Sequence, residues 1–213
     1  MKRLFRWLFR LLVLSIVLLV AAALLKDALL KGWIERQVHA RTGLRVSIQT
    51  LEAGLFTPTV RIERARLFNP AEFGGSVLLD ISEASFEYDL AKALAGSARL
   101  RWLRLQVGEI HLVRNAAGQT NVAAILPALT GASSRPQEID RRRWRFGGID
   151  QVYLTLEKAR HTDLAQPARN WTRAVGWKDY EIKNIRTAAE AGEWVQRVLN
   201  RVTPAPASAG PAS

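Results

Sequence analysis

No charged residue interrupts the run from Leu11 to Leu25, which Lys2, Arg3, Arg6 and Arg10 precede and Lys26 and Asp27 follow at once. Counted from Leu4, the apolar segment is about 22 residues, or roughly 33 Å of helix, enough to cross the hydrocarbon core of a bilayer. Such a run has no place on the surface of a water-exposed domain, so it divides the chain near residue 25. Two readings compete. As a transmembrane anchor, Leu4, Phe5, Trp7, Leu8 and Phe9 form the cytoplasmic interface, with Arg6 and Arg10 reaching for headgroups. As a cleavable signal peptide, a basic start and a core from Leu11 to Val20 lead to the small residues Ala21-Ala22-Ala23. The anchor accounts for more of the sequence, because the apolar run continues through Leu24 and Leu25. Helix-compatible residues then extend to Thr42 without a proline. In both readings the basic residues hold the N-terminus in the cytoplasm, and everything after about Lys26 is exported.

The residues that remain are enough for one domain, 26–202, with its own core. The 213 residues include no cysteine, which removes disulfides, thiolate metal sites and thiol nucleophiles. A net charge of +12 is partly the N-terminal cluster. The rest is a solvated surface or an attraction to anionic membrane; an exported domain gives nucleic acid little role. His39, His111 and His161 have no metal-ligand spacing, and no phosphate loop, nucleophile elbow or His-Glu-x-x-His pattern occurs. The sequence therefore offers no catalytic residue, no metal site and no cofactor, and points away from an enzyme. Asp80, Glu83, Glu87 and Asp89 read as the wet face of a strand.

From Lys26 to Thr42 the pattern is helical, with Leu25, Ala28, Leu29, Trp33, Val38 and Thr42 broadly on one face and Lys26, Lys31, Glu35, Arg36 and Arg41 largely elsewhere. Gly43 is placed to end the helix. Alternation then takes over. Strands are predicted at Leu44–Gln49, at Thr59–Phe68 with a bulge near Glu63–Arg64, and at Val77–Leu90. A helical turn at Leu90–Leu94 leads to a strand at Arg99–Val107, which Gly108 separates from another at Glu109–Asn115. Asn121 is an N-cap candidate for a short helix through Leu129. Residues 131–143 read as a mobile basic loop. There Arg141, Arg142, Arg143 and, just beyond, Arg145 either blunt a sheet edge or contact lipid headgroups or a partner. Short strands follow at Trp144–Phe146 and Ile149–Lys158. The C-terminal third is irregular until an amphipathic helix, Thr187–Val202, and 203–213 is a disordered tail. The fold class is α+β: an N-terminal transmembrane helix (1–25), then a curved, mostly antiparallel meander flanked by amphipathic helices.

Several of these segments together carry a resemblance. A membrane helix leads to Thr42-Gly43-Leu44-Arg45-Val46 and Leu51-Glu52-Ala53-Gly54-Leu55-Phe56-Thr57-Pro58. Then come Asn69-Pro70-Ala71-Glu72-Phe73 and, later, Asn115-Ala116-Ala117-Gly118-Gln119-Thr120-Asn121. In order and spacing, residues 1–130 resemble the start of bacterial AsmA-like proteins, with an Asn-Pro-x-x-Phe loop after the second strand and a Gly-x-x-Asn turn before a helix. The resemblance implies a single-pass inner-membrane protein with its bulk in the periplasm, tied to outer-membrane biogenesis or envelope lipid homeostasis. It also implies kinship to bridge-like lipid transfer proteins, whose curved sheets offer an apolar face to acyl chains. On that expectation Val46, Ile48, Val60, Phe86, Tyr88, Leu103 and Leu105 face lipid, and the partners are the inner membrane, phospholipid and other envelope proteins. Long members repeat the groove many times, whereas this chain holds one unit. A non-catalytic interaction subunit of an envelope complex, with no lipid groove of its own, is the alternative.

Overall fold

The computed structural model describes residues 27–40, 42–54, 57–129 and 145–203. Among them no helix is long and apolar enough to cross a membrane. The anchor expected at 1–25, the loop at 131–143 with Arg141, Arg142 and Arg143, and the tail beyond Thr203 lie outside the described residues.

Six strands form one sheet in chain order: β1 (Val46–Ala53), β2 (Thr59–Phe68), β3 (Val77–Tyr88), β4 (Ser97–Arg114), β5 (Arg145–Asp163) and β6 (Trp171–Ile185). Four helices accompany them among the described residues: α1 (27–40), α2 (Leu90–Leu94), α3 (Asn121–Leu129) and α4 (Ala188–Val202). The class is α+β, as the alternation implied. The sheet is mixed rather than a meander, because β4 and β5 run parallel while the other neighbours are antiparallel. Parallel neighbours need a crossover, and α3 lies on it.

Three strand boundaries differ from expectation. Gly108 does not end a strand; β4 runs through it for 18 residues. Gly147 and Gly148 likewise sit inside the 19 residues of β5. The third difference is β6, a full strand where the sequence looks irregular. Positive φ at Gly176 and Asp179 breaks its alternation.

Residues that face each other across a ladder share a face of the sheet, so four apolar rows can be followed from edge to edge. Ala53, Val60, Phe86, Leu103, Val152 and Ile182 form the first, and Leu51, Ile62, Ala84, Leu105, Leu154 and Tyr180 the second. Ile48, Ala65, Ile81, Val107, Leu156 and Trp177 form the third; Val46, Leu67, Leu79, Ile110, Ala159 and Arg173 follow. Strict alternation would space the residues of one strand by two. Yet every strand contains one step of three on this face: 48 to 51, 62 to 65, 81 to 84, 107 to 110, 156 to 159 and 177 to 180. The extra residues lie at nearly the same level, so together they form a crease across the sheet, shifted by one row at β4 and β5. Arg64, with φ of 51°, carries it in β2, where a bulge was expected; the ladders keep their register there, and the shift between β2 and β3 lies at Leu67/Phe68, while Asp179, with φ of 45°, carries the step in β6.

Each end of the sheet has its own cover. On β1, side chains one helical turn apart on α1 bond to the free edge. Asp27 Oδ1 accepts from Ala53 N (3.1 Å), Lys31 Nζ donates to Gln49 O (3.4 Å) and Glu35 Oε1 accepts from Ile48 N (2.8 Å). His39 Nδ1 lies 3.4 Å from Leu44 O. The polar stripe expected to face water thus faces the sheet edge and blocks further strand pairing there. Leu29, Leu30 and Trp33 are turned outward instead. At the other end α4 packs through Trp194, Val198 and Val202 onto β4, β5 and β6. The helix expected over Thr187–Val202 is present from Ala188, with Thr187 as its N-cap accepting from Glu190 N.

The sheet's second face is polar. A row there reads Glu52, Arg61, Ser85, Arg104, Tyr153 and Glu181. Ion pairs such as Arg61–Glu83 and Arg101–Glu87 lie along it, and Trp102 donates to Glu87 Oε2. These exposed pairs add little stability each but mark the face as solvent-facing.

Candidate functional site

Two features are built on the apolar side of the sheet: a dry cavity and, beside it, a buried polar knot. The cavity has a volume of about 230 Å³. Its floor is Leu67, Leu79, Leu105, Val107, Ile110, Leu154 and Leu156, and its roof is Val122 and Ile125 of α3 with Trp194, Val195, Val198 and Leu199 of α4. Every lining residue is apolar apart from the indole N–H of Trp194, a buried donor with no partner among the described residues. A space of this kind excludes water, and an engineered cavity of roughly 150 Å³ already takes benzene. It is smaller than the roughly 300–1,000 Å³ of sites that enclose a whole drug-sized ligand. Its chemistry therefore suits part of a hydrocarbon chain and offers nothing to a polar substrate.

The expected lipid-facing residues fall on this face, but mostly not in the cavity. Val46, Ile48 and Val60 belong to a neighbouring cluster with Leu51, Ala65 and Ile34 of α1. Phe86 and Leu103 pair in the first apolar row, and Tyr88 pairs with Leu100 beyond a register shift. Only Leu105 lines the cavity. Val60, Phe86, Tyr88 and Leu103 are half-buried, and none of the strongly exposed large apolar residues belongs to the four rows. Arg145, the described member of the basic cluster, is an exposed residue at the start of β5, with its N–H on Gly96 O. Sequence reasoning passes over Leu67, Leu79, Ile110 and Trp194 as site residues. The helical spacing of Val195, Val198 and Leu199 is the signal that could pair α4 with them.

The knot joins the two motifs that carry the family resemblance. The Asn-Pro loop turns through a 3-10 segment, Ala71–Phe73, that buries Phe73 and exits through Gly74 and Gly75 in left-handed conformations. The Gly-x-x-Asn turn closes by Gln119 N on Asn115 Oδ1 and uses Gly118 at φ of 79°. It was expected to place Asn121 as a helix cap. Thr120 takes that task, accepting from Ala123 N, and Asn121 turns inward to complete burial. Asn121 Nδ2 donates to Asn69 Oδ1 (2.7 Å) and His111 O (2.8 Å), and its Oδ1 accepts from Val113 N (3.0 Å). Asn69 Nδ2 donates to Ser76 Oγ, which lies 3.2 Å from His111 Nδ1, and His111 Nε2 lies 2.8 Å from Thr162 Oγ1. Donors can be ordered head to tail along this chain, from Asn121 to Thr162, if His111 is neutral. No carboxylate of the described residues takes part, so Ser76 and His111 lack the third member that orients a catalytic pair. The knot is a tie between β2–β3, β4, β5 and α3.

Burial holds the His111 imidazole below its ordinary pKa, and the nearby Arg160 pushes the same way, against the weaker opposing influence of Val77 O and Glu109. A folded-state pKa below the ordinary 6.5 means that the unfolded chain takes up the proton first. Stability tied to neutral His111 is thus complete above pH 6.5 and is lost as pH falls below it. Urea midpoints at pH 7.5 and 5.5 should differ in that direction. His111→Gln should flatten the difference even as it weakens the fold, whereas an unchanged slope would exclude His111 as its source. Asp163 is enclosed at the far end of β5; burial alone would raise its carboxyl, but N–H donors of Gln166 and Ala165, with Arg114, bring it below the ordinary value.

Among the described residues no group of three or more His, Asp or Glu could hold a metal ion. Comparisons with protein-family models, with curated proteins and with solved structures give no match.

Proposed function

We propose that this chain is a membrane-anchored, periplasm-facing protein of AsmA-like type that holds part of a phospholipid acyl chain between its sheet and helices α3 and α4. Its service would be to outer-membrane biogenesis or envelope lipid homeostasis. The observation that carries the reading is the lining of the cavity, which presents hydrocarbon alone to the space. The charge-free run from Leu11 to Leu25 supports a bilayer location. The space is already partly open to the surface, and movement of α4 would widen it. That helix is docked by one stripe, and the opposite side carries Glu193, Gln196, Arg197 and Asn200 at its surface.

The test is extraction and mass spectrometry of lipid from the purified full chain. Acyl lipid should accompany the wild type in near-stoichiometric amount. Val195→Trp fills the space from the helix side at an overpacking cost of about 1–3 kcal/mol, and it should lower bound lipid at least tenfold with circular dichroism unchanged. Lipid absent from the wild type, or undiminished in the variant, would remove the proposal.

A second reading is an interaction subunit without a lipid site. It is favoured by the coverage of the apolar rows, none of whose large residues is strongly exposed. Absence of lipid from the wild type is its expected result.

A further inference from the structure

The outward side of the first two turns of α1 is apolar, and its direction is fixed. Leu29 is 68% exposed, Leu30 39% and Trp33 55%. At about 100° per residue these three occupy one side of the helix, and Asp27, Lys31, Glu35 and His39 the other. The polar side is tied to the β1 edge by the contacts at Ala53, Gln49, Ile48 and Leu44. The helix therefore cannot roll to bury Leu29 and Trp33 without giving up those bonds. A fixed outward patch of leucine and tryptophan has the composition of an interfacial helix face.

The sequence before the helix identifies the surface it meets. Leu25 ends the charge-free run, and Leu29 follows about 6 Å further along a helix. The interfacial layer of a bilayer is roughly 5–7 Å deep on each side of the hydrocarbon. Trp33, about 12 Å beyond Leu25, would leave that layer if the helix stood along the membrane normal, and would stay in it if the helix leaned toward the surface. Tryptophan is enriched at that level.

We propose that Leu29, Leu30 and Trp33 bed into the periplasmic headgroup layer of the bilayer, with α1 inclined and the β1 edge held next to the membrane. The proposal rests on the anchor reading of residues 1–25. It places β1 nearest the bilayer and β6 farthest from it, because the strands follow in order across the sheet. Lipid leaving the outer leaflet would then meet the β1 side of the domain first.

The chain has no cysteine, so single labels can be placed without background. The experiment uses the full chain in phosphatidylcholine–phosphatidylglycerol vesicles, with a nitroxide in turn at Leu29→Cys, Trp33→Cys, Leu18→Cys and Lys178→Cys. Leu18 reports on the anchor, and Lys178 is an exposed reference on β6. Labels at 29 and 33 should be several-fold less accessible to a water-soluble relaxant than the label at 178, and more accessible to oxygen. A buried label at 18 with water-exposed labels at 29 and 33 would overturn the docking while leaving the anchor intact. Water exposure at all four sites would overturn both. Efficient disulfide formation between copies of the unlabelled Leu29→Cys or Trp33→Cys variant, with protection lost on dilution into excess lipid, would make the face a protein contact and overturn the proposal.

Discussion

Asn121→Ala is expected to lower unfolding free energy by about 3–5 kcal/mol, because each buried polar group left unpaired costs roughly 1–3 kcal/mol. Four groups lose the amide: Asn69 Oδ1, His111 O and Val113 N, which are buried, and the half-buried Val122 N. The first three lie in or beside the buried tie between two loops and two strands, where water cannot replace the amide. A typical margin is about 5–15 kcal/mol, so the loss is a large part of what holds the domain. Asn121→Asp should be worse at neutral pH, since it sets a carboxylate oxygen against the two acceptors that Nδ2 now serves. Thr120→Ala, one residue earlier, removes only a helix cap and should cost about 1 kcal/mol. Urea denaturation of the three variants checks the order. An Asn121→Ala cost equal to that of Thr120→Ala would mean that the knot contributes no more than a cap.

Gly148→Ala is expected to be strongly disruptive within the strands. Gly148 has φ of 100°, and a Cβ there would lie 2.9 Å from Ile185 O, a backbone atom of β6. Strained φ alone costs about 1–3 kcal/mol, and the clash must be relieved by moving one strand from another. A Cβ on Gly147 beside it would collide with Ser97 Oγ and meet backbone of Ala98 at 3.2 Å on the β4 side. The pair thus lies where β5 closely approaches both β4 and β6. Because α4 follows β6, loosening β6 also removes the roof of the cavity. Gly96→Ala supplies the comparison, with φ of 76° but open space around its Cβ. Melting temperatures should fall by several degrees more for Gly148→Ala than for Gly96→Ala, at about 2–4 °C per kcal/mol for a domain of this size. Equal shifts would show that close approach adds nothing to backbone strain.

Alternation makes β1, β2 and β3 readable, because each keeps period two over most of its length. The same rule hides the rest. At Gly108 the apolar side moves from Val107 to Ile110, and a step of three looks like the end of one strand and the start of the next. In β5 the glycines at 147 and 148 look like a turn, although here they allow strands to approach. β6 carries its step of three beside Gly176 and Asp179, so Trp171, Val175, Trp177 and Tyr180 look scattered while they share one face. The orientation of α1 is hidden for a different reason. Leucine and tryptophan on a helix suggest a core-facing stripe, but the sheet edge is made of backbone N–H and C=O groups, which only polar side chains can satisfy. Val46, Ile48, Val60, Phe86, Leu103 and Leu105 do share one face, as alternation implies. Their distance from the cavity depends on where α3 and α4 settle, which no local pattern contains.

The parallel pairing of β4 with β5 also sets a timetable. Leu103 pairs with Val152 and Leu105 with Leu154, partners made much later by the ribosome. Pairings of β1 through β4 join sequence neighbours by short connections and can close as soon as each strand emerges. The first half of the chain therefore forms early with β4 as a temporary bare margin, 18 residues long. That margin stays open until α3 and the following segment have been delivered, and a bare margin of this length is when such a chain is most prone to pair with the wrong neighbour. In a nascent chain the vulnerable interval is thus bounded at both ends, by the arrival of Arg114 and the arrival of Asp163.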